Sequence, residues 1–224
     1  VARFARDRGI TTVMDNTFAT PVNQNPLELG IDVVVHSGTK YLGGHSDLCC
    51  GVAVTSAERA KRVRALARHL GGSLDAMACY LLERSLKTLA LRMERQSENA
   101  LRVAVALQRH PAVTRVNYPG LPDFPGHDLA KSQMKAYGGM LSFEVRNEEG
   151  DPSGFLRRLR MIKPALSLGG VETTICCPAV TSHAKISAEE QQRIGITDRL
   201  MRLSVGIEHS DDITSDLDQA LTAW

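Results

Sequence analysis

A lone lysine, Lys40, sits in the stretch HSGTKYLGGHSD (residues 36–47) among small, hydroxylated and flexible residues, directly after the apolar run IDVVV. Two chemistries suit such a lysine. The phosphate-loop pattern needs a Gly-Lys-Ser/Thr core, and here Lys40 lies between Thr39 and Tyr41, so that pattern fails. The alternative is an amine that condenses with a carbonyl carbon and afterwards carries protons. Such an amine must be partly desolvated, because burial favours the neutral form, whereas most lysines are solvated. The hydroxyls of Ser37 and Thr39 fall on one side of an extended segment, placed to hold a phosphate. Asp15 ends another apolar run, ITTVMD. A carboxylate there could keep a pyridine nitrogen protonated, which is what pyridoxal phosphate needs from its protein. Taken alone, Asp15 in DNT also reads as a turn aspartate.

These residues need elements to position them. The runs ITTVMD, IDVVVHS and CCGVAVTS predict three short buried strands of a largely parallel α/β sheet. Ligands of such sheets gather beyond the strand ends, where Asp15 and Lys40 both lie. A basic amphipathic helix is predicted from Ala57 to about Leu70, ended by HLGGSLDA. From Met77 to Arg109 the pattern is helical again, with the stripe Leu82, Leu86, Leu89, Met93, Ala100, Ala104 and Leu107 reading as core. A helix of that length is expected to join two units or bend near Gln96–Ser97. Beyond Pro111, AVTRVN, GGMLSFEV, VETTIC and LMRLSVGIE read as strands and SGFLRRLRM as a helix, with an aspartate-capped helix in DDITSDLDQAL. The expectation is a domain over residues 1–95 and a smaller α/β domain over 96–224.

The composition is that of an ordinary globular protein, with 43% hydrophobic and 23% charged residues and a net charge of +2. No basic block or aromatic-interleaved patch points to nucleic acid. No apolar run approaches a membrane span, and VARFARDRG is charged throughout, unlike a signal peptide. The five cysteines include the adjacent pairs Cys49–Cys50 and Cys176–Cys177, which match no zinc spacing. The expectation is a reduced, cytoplasmic protein with small buried thiols and no metal. The chain starts at Val1 in what reads as the last turns of a helix stopped by Gly9, so a missing N-terminal segment is expected.

VMDNTFATP followed by HSGTKYLGGHSD resembles the transsulfuration, or Cys/Met-metabolism, family of pyridoxal-phosphate enzymes. The likeness continues through GGSLDAMACYLLERSLKTLALRMERQSENA, SLGGVETTICCPAVTSHA and GITDRLMRLSVGIE, and covers essentially the whole chain in order. The resemblance implies a fold-type I transferase: part of the large cofactor domain, a mostly parallel sheet with helices, followed by the small C-terminal α/β domain. It implies pyridoxal 5'-phosphate bound through Lys40, with Asp15 at the ring nitrogen and Ser37 and Thr39 at the phosphate. Ser167 and Arg202 match residues at the substrate α-carboxylate, for which a guanidinium fork is the natural grip. Glu172 matches a position that is acidic in the γ-synthase and γ-lyase branches. His183 matches a family histidine, with a structural role equally in view.

The implied activity is γ-elimination or γ-replacement on sulfur amino acids or homoserine esters, by a homotetramer acting on small amino acids. Two other readings stay open at this point. One is a non-catalytic fragment, or half of a split enzyme that needs a separate N-terminal chain, since the phosphate loop and stacking tyrosine of the family's N-terminal part have no counterpart here. The other is an aminotransferase of the same fold. A smaller departure is Ser85, where the family commonly has glycine.

Overall fold

The computed structural model describes residues 1–146 and 152–223, and the chain divides into two compact units, Val1–Leu91 and Arg92–Trp224. The last residue of the expected small domain, Trp224, and residues 147–151 within it lie outside the described residues.

In the first unit, helix α1 (Ala2–Arg6) ends in a turn at Gly9, whose φ of 64° is the left-handed conformation that glycine adopts freely. Strand β1 (Val13–Asp15), the short helix α2 (Thr20–Asn23), β2 (Val33–Ser37) and β3 (Gly51–Thr55) follow. The sheet order is β1-β2-β3, with β1 parallel to β2 and β2 antiparallel to β3. The largely parallel sheet expected from the sequence is therefore mixed among the described strands. The segment between β2 and β3 carries one helical turn, Gly38–Leu42, in place of a crossover helix, so the chain folds straight back. The strands are also less buried than their valines suggest, with Val13 64% and Val54 42% exposed. β-branched side chains suit a pleated strand whether or not its outer face is covered.

Helix α3 (Ala57–Leu70) forms as expected, with the Ser56 side chain capping the Arg59 N–H and Gly71 in the left-handed conformation at its end. The long helix expected from Met77 to Arg109 is two helices, α4 (Ala76–Leu86) and α5 (Leu89–Arg109). The break falls at Lys87–Thr88 and not at Gln96–Ser97. The Lys87 and Thr88 N–H groups bond three residues back, and the Thr88 hydroxyl donates to the Ser85 carbonyl at 3.2 Å, a local bond that competes with helix propagation. Leu86 consequently leaves the stripe and is exposed, while Leu89, Met93, Ala100, Ala104 and Leu107 are buried.

In the second unit α5 packs on a five-stranded sheet. Its strands are β4 (Val113–Asn117), β5 (Met140–Val145), β6 (Lys163–Pro164), β7 (Thr174–Cys176) and β8 (Leu200–Ser204). The order is β4-β5-β8-β7-β6, and only β6 and β7 run parallel. Helices α6 (His127–Gln133), α7 (Pro152–Leu156), α8 (Ala188–Arg193) and α9 (Ser210–Thr222) complete it. The core joins Val103 and Leu107 of α5 to Phe143, Ile175, Met201 and Leu203 of the sheet and Ile213 and Leu217 of α9.

Two expectations fail here for electrostatic reasons. The SGFLRRLRM helix stops at Leu156. The buried Asp216 carboxylate takes the N–H groups of Arg160, Met161 and Ile162 at 2.8–3.0 Å, so that backbone serves an anion and not a helix. Helix α9 is capped by His209, whose side chain accepts from Asp211 N–H, while Asp211 and Asp212 sit in the first turn and favour its dipole. The thiols also differ from expectation: Cys176 and Cys177 are buried, but Cys49 and Cys79 are exposed. No helix among the described residues is long and apolar enough to cross a membrane.

Candidate cofactor and substrate sites

Asp15 is the last residue of β1 and pairs with Val35 of the adjacent parallel strand. Ser37 ends β2, and Lys40 lies in the turn that follows. The parallel register brings all three to the C-terminal end of β1 and β2, where sheet ligands bind. One residue ties them together. The Thr17 hydroxyl donates to Asp15 Oδ1 at 2.6 Å and accepts the Ser37 N–H at 2.8 Å, and the Thr17 N–H also reaches Asp15 Oδ1 at 2.9 Å. Asp15 Oδ2, the Ser37 hydroxyl and Lys40 Nζ make no hydrogen bond or ion pair among the described residues.

The turn that carries Lys40 is wide. Gly43 N–H reaches back to the Gly38 carbonyl at 2.8 Å and Gly44 N–H to the Lys40 carbonyl at 2.7 Å. Lys40 itself is half-buried, with non-helical φ and ψ of −89° and −128°. A side chain at Gly38 would run into the Cys50 sulfur, so glycine is required there by close approach. Thr39 lies in this coiled turn and not on an extended segment, which removes the alternation argument that grouped it with Ser37. Its hydroxyl accepts the Cys50 N–H at 3.0 Å and lies 3.4 Å from the Cys50 carbonyl. That leaves the weaker of the two bonds available for exchange to another acceptor.

Behind Asp15 the chain turns sharply. Asn16 is 2% exposed, and its Nδ2 donates to the carbonyls of Thr20 at 3.2 Å and Gln24 at 3.0 Å. Thr20 is fully buried at φ 59°, a left-handed conformation that is uncommon for a β-branched residue. Burial lowers the pKa of His36, on β2 beside Ser37, and the Asp15 charge offsets this only in part.

In the second unit Arg202 lies in the middle of β8, between Ser142 of β5 and Cys176 of β7. Its Nη2 donates to the Leu166 carbonyl at 2.8 Å, and its Nε is a buried donor without a partner. A guanidinium with donors to spare is set beside the residue that precedes Ser167. Ser167 is exposed, and its carbonyl accepts the Thr174 hydroxyl at 2.9 Å. Glu172 is exposed, and its carboxylate makes no bond among the described residues. His183 has Nδ1 2.9 Å from the neighbouring Ser182 hydroxyl, and its backbone closes a local turn with Pro178 and Gln191, which fits the structural reading.

The loop from Leu166 to Thr173 and the turn after β8 are held by residues for which the sequence suggested no role at a site. Gln96 and Asn99 of α5, fully or almost fully buried, donate to the carbonyls of Gly170 and Val205 and of Gly206 and Glu208 respectively. Ser204 accepts the Gly169 N–H at 2.8 Å. The Glu208 carboxylate takes both the N–H and the hydroxyl of Thr173, at 2.6 and 2.8 Å. Polar residues at buried spacings on α5 were the one available signal, because a polar side chain on a core face must have a built-in partner.

The chain is 47% identical over 223 residues to a cystathionine beta-lyase of Coxiella burnetii, covering 99% of this chain and 58% of that protein. It is 46% identical over 222 residues to a cystathionine gamma-lyase of Dictyostelium discoideum, covering 99% and 57%. The crystal structure of a cystathione gamma lyase from Micromonospora echinospora superposes with a TM-score of 0.95 at 42% identity, covering 99% of this chain and 58% of that one. The chain thus spans somewhat more than half the length of these relatives. The family model for Cys/Met metabolism PLP-dependent enzymes matches residues 1–222, and the chain belongs to that family.

Proposed function

We propose that this chain is the cofactor-holding and substrate-gripping part of a carbon–sulfur lyase or γ-synthase acting on sulfur amino acids or homoserine esters. The observation that carries the reading is the group at the end of β1 and β2. Asp15 has one oxygen locked by Thr17 and the other open, next to an open Ser37 hydroxyl and a half-buried Lys40. A carboxylate, a hydroxyl and an amine are the donor set that a pyridinium nitrogen, a phosphate and an aldehyde call for. These residues therefore fit pyridoxal phosphate, which when bound supplies an electron sink for a carbanion next to nitrogen.

The residues of the chain do the rest. Asp15 Oδ2 holds the proton on the ring nitrogen. Ser37, with Thr39 once its long bond to the Cys50 carbonyl is exchanged, donates to phosphate oxygens. Lys40 Nζ is the base that would move protons at the substrate α- and β-carbons: loss of the β-proton frees the electron pair that expels the γ-substituent, and the departing sulfur would take its proton from the same amine. Arg202 grips the substrate α-carboxylate with its unused donors, with Ser167 beside it. Glu172, an exposed carboxylate without an internal partner, supports a preference for γ-substituted amino acids.

In the same reading the first unit is the C-terminal part of a fold-type I large domain and the second is the small domain. The complete protein is a cytoplasmic homotetramer. The test uses the full-length protein. Lys40→Ala should abolish cofactor-linked visible absorbance and lower elimination activity on cystathionine by about a thousandfold or more, the scale seen when an activated nucleophile or proton carrier is removed. Activity retained in that variant would refute the assignment. A control assay for amino transfer to a keto acid separates this reading from an aminotransferase.

A further inference from the structure

We infer that Thr173 and Glu208 are positioning residues that set the shape of the substrate loop carrying Ser167 and Glu172. The inference rests on the function proposed above and adds to it a device for substrate recognition. The loop from Leu166 to Glu172 joins two strands, β6 and β7, and has no regular structure of its own. Its backbone is instead tied to the end of β8 and the segment that follows it. Gly169 N–H donates to the Ser204 hydroxyl, and Ile207 N–H donates to the Val171 carbonyl at 2.9 Å.

The closing tie is the carboxylate of Glu208. One oxygen accepts the Thr173 N–H at 2.6 Å and the other accepts the Thr173 hydroxyl at 2.8 Å. The same hydroxyl oxygen accepts the Gly206 N–H at 2.9 Å. Thr173 is 1% exposed, so these bonds form away from water, where a lost partner is not replaced by solvent.

The chemistry of this clamp demands both residues. Thr173 donates from its backbone N–H and from its side chain and accepts a third bond on that same side-chain atom, and donating and accepting at one atom is what a hydroxyl does. Glu208 must accept both donors, which an ionised carboxylate does and an amide does not, because one of its two atoms is itself a donor. The clamp also leaves no room: a methyl group at Gly206 would meet the Val171 carbonyl oxygen, Glu208 Oε2 and the Glu172 carbonyl carbon. Glu172 is therefore bracketed between Val171, whose carbonyl is held, and Thr173, both of whose donors are held. Its exposed carboxylate starts from a fixed backbone. At the other end of the same loop, Leu166 offers its carbonyl to the Arg202 guanidinium. A loop fixed at both ends in this way sets where the residues that meet substrate stand before substrate arrives, and the cost of ordering them is not taken from binding.

The test compares Thr173→Val, Thr173→Ser and Glu208→Gln in the full-length holoenzyme. Amide hydrogen exchange of the peptide spanning residues 166–173 should speed up about tenfold or more in Thr173→Val and Glu208→Gln, and stay near the parent rate in Thr173→Ser. In the same proteins, KM for the amino-acid substrate should rise about tenfold in Thr173→Val with kcat changed less than about threefold, since uniform binding is lost and the chemical step is not. Thr173→Ser should restore KM, and the visible absorbance of the bound cofactor should be unchanged throughout. Unchanged exchange in Thr173→Val overturns the clamp. Faster exchange with unchanged KM, or a fall in kcat at constant KM, overturns its role in recognition. If the parent enzyme does not process sulfur amino acids or homoserine esters, the proposed function falls and with it the recognition role, while the exchange data still decide whether the clamp orders the loop.

Discussion

Thr17 and Asp15 form a hydroxyl–carboxylate pair at 2.6 Å, and the oxygen of that hydroxyl also receives the Ser37 N–H from the neighbouring strand. A two-residue step along the chain thus becomes a brace across two strands. The brace fixes one carboxylate oxygen and leaves the other open. Thr17→Val should leave the Ser37 N–H without its acceptor and let Asp15 swing. The apparent Kd for pyridoxal phosphate, measured on the full-length protein by equilibrium titration, should rise about tenfold, the effect of roughly one charge-assisted hydrogen bond. Thr17→Ser should restore it.

Asp216 is the anion on which the backbone at Arg160–Ile162 turns. Burial pushes its pKa up, but three backbone N–H bonds and Gln219 outweigh this and hold it below the usual carboxylate range. A carboxylate lowered on folding stabilises the fold above its unfolded pKa, and that contribution is lost as pH falls through the lower folded value. Asp216→Asn should therefore destabilise the second unit by about 2–3 kcal/mol at neutral pH and flatten the stability curve below about pH 4. Urea unfolding at a series of pH values measures both.

His36 gives the same sign of proton linkage in a higher pH range. Its imidazole is 5% exposed, and burial lowers its pKa below 6.5. The folded state then binds a proton less readily than the unfolded chain, so stability falls as pH drops from about 7 toward the folded value and levels off below it. Replacement by a residue that does not titrate, such as His36→Gln, should remove that slope from the first unit. Thermal unfolding of the full-length protein between about pH 5 and pH 8, the range in which an imidazole changes charge, tests it.

Gly206→Ala should be among the most damaging single-methyl changes in the second unit. The added carbon would press on two backbone groups and on the Glu208 carboxylate, and only the last of these can move away. Overpacking of this kind costs about 1–3 kcal/mol or more. The loss should appear as a lowered Tm in calorimetry together with faster hydrogen exchange over residues 166–173.

Several elements could be read from residue order because their signals are local. Helix α3 has a serine at its start, a glycine at its end and one basic face, and β2 opens on three successive valines. The lysine and aspartate of the candidate cofactor site were legible because each follows such a run. Helices α6 and α8 were not, since HDLAKSQ and AEEQQR are short and mostly polar and take their stability from what they touch. The break at Lys87–Thr88 has neither glycine nor proline to mark it. The roles of Thr17, Gln96, Asn99 and Glu208 depend on partners brought close by folding, in most cases from distant parts of the chain. Their positions carry no period, so pattern reading passes over them.

Thr20 has a consequence for how this protein can change. A buried threonine held at φ 59° carries about 1–3 kcal/mol of backbone strain, which a glycine in its place would relieve. Its side chain is not idle, since its hydroxyl accepts the Val22 N–H at 3.3 Å. Laboratory evolution for heat resistance alone should therefore drift toward glycine or asparagine at this corner. The hydroxyl's bond to the Val22 N–H offsets part of that gain, making position 20 a place where relief of backbone strain and a local turn bond pull in opposite directions.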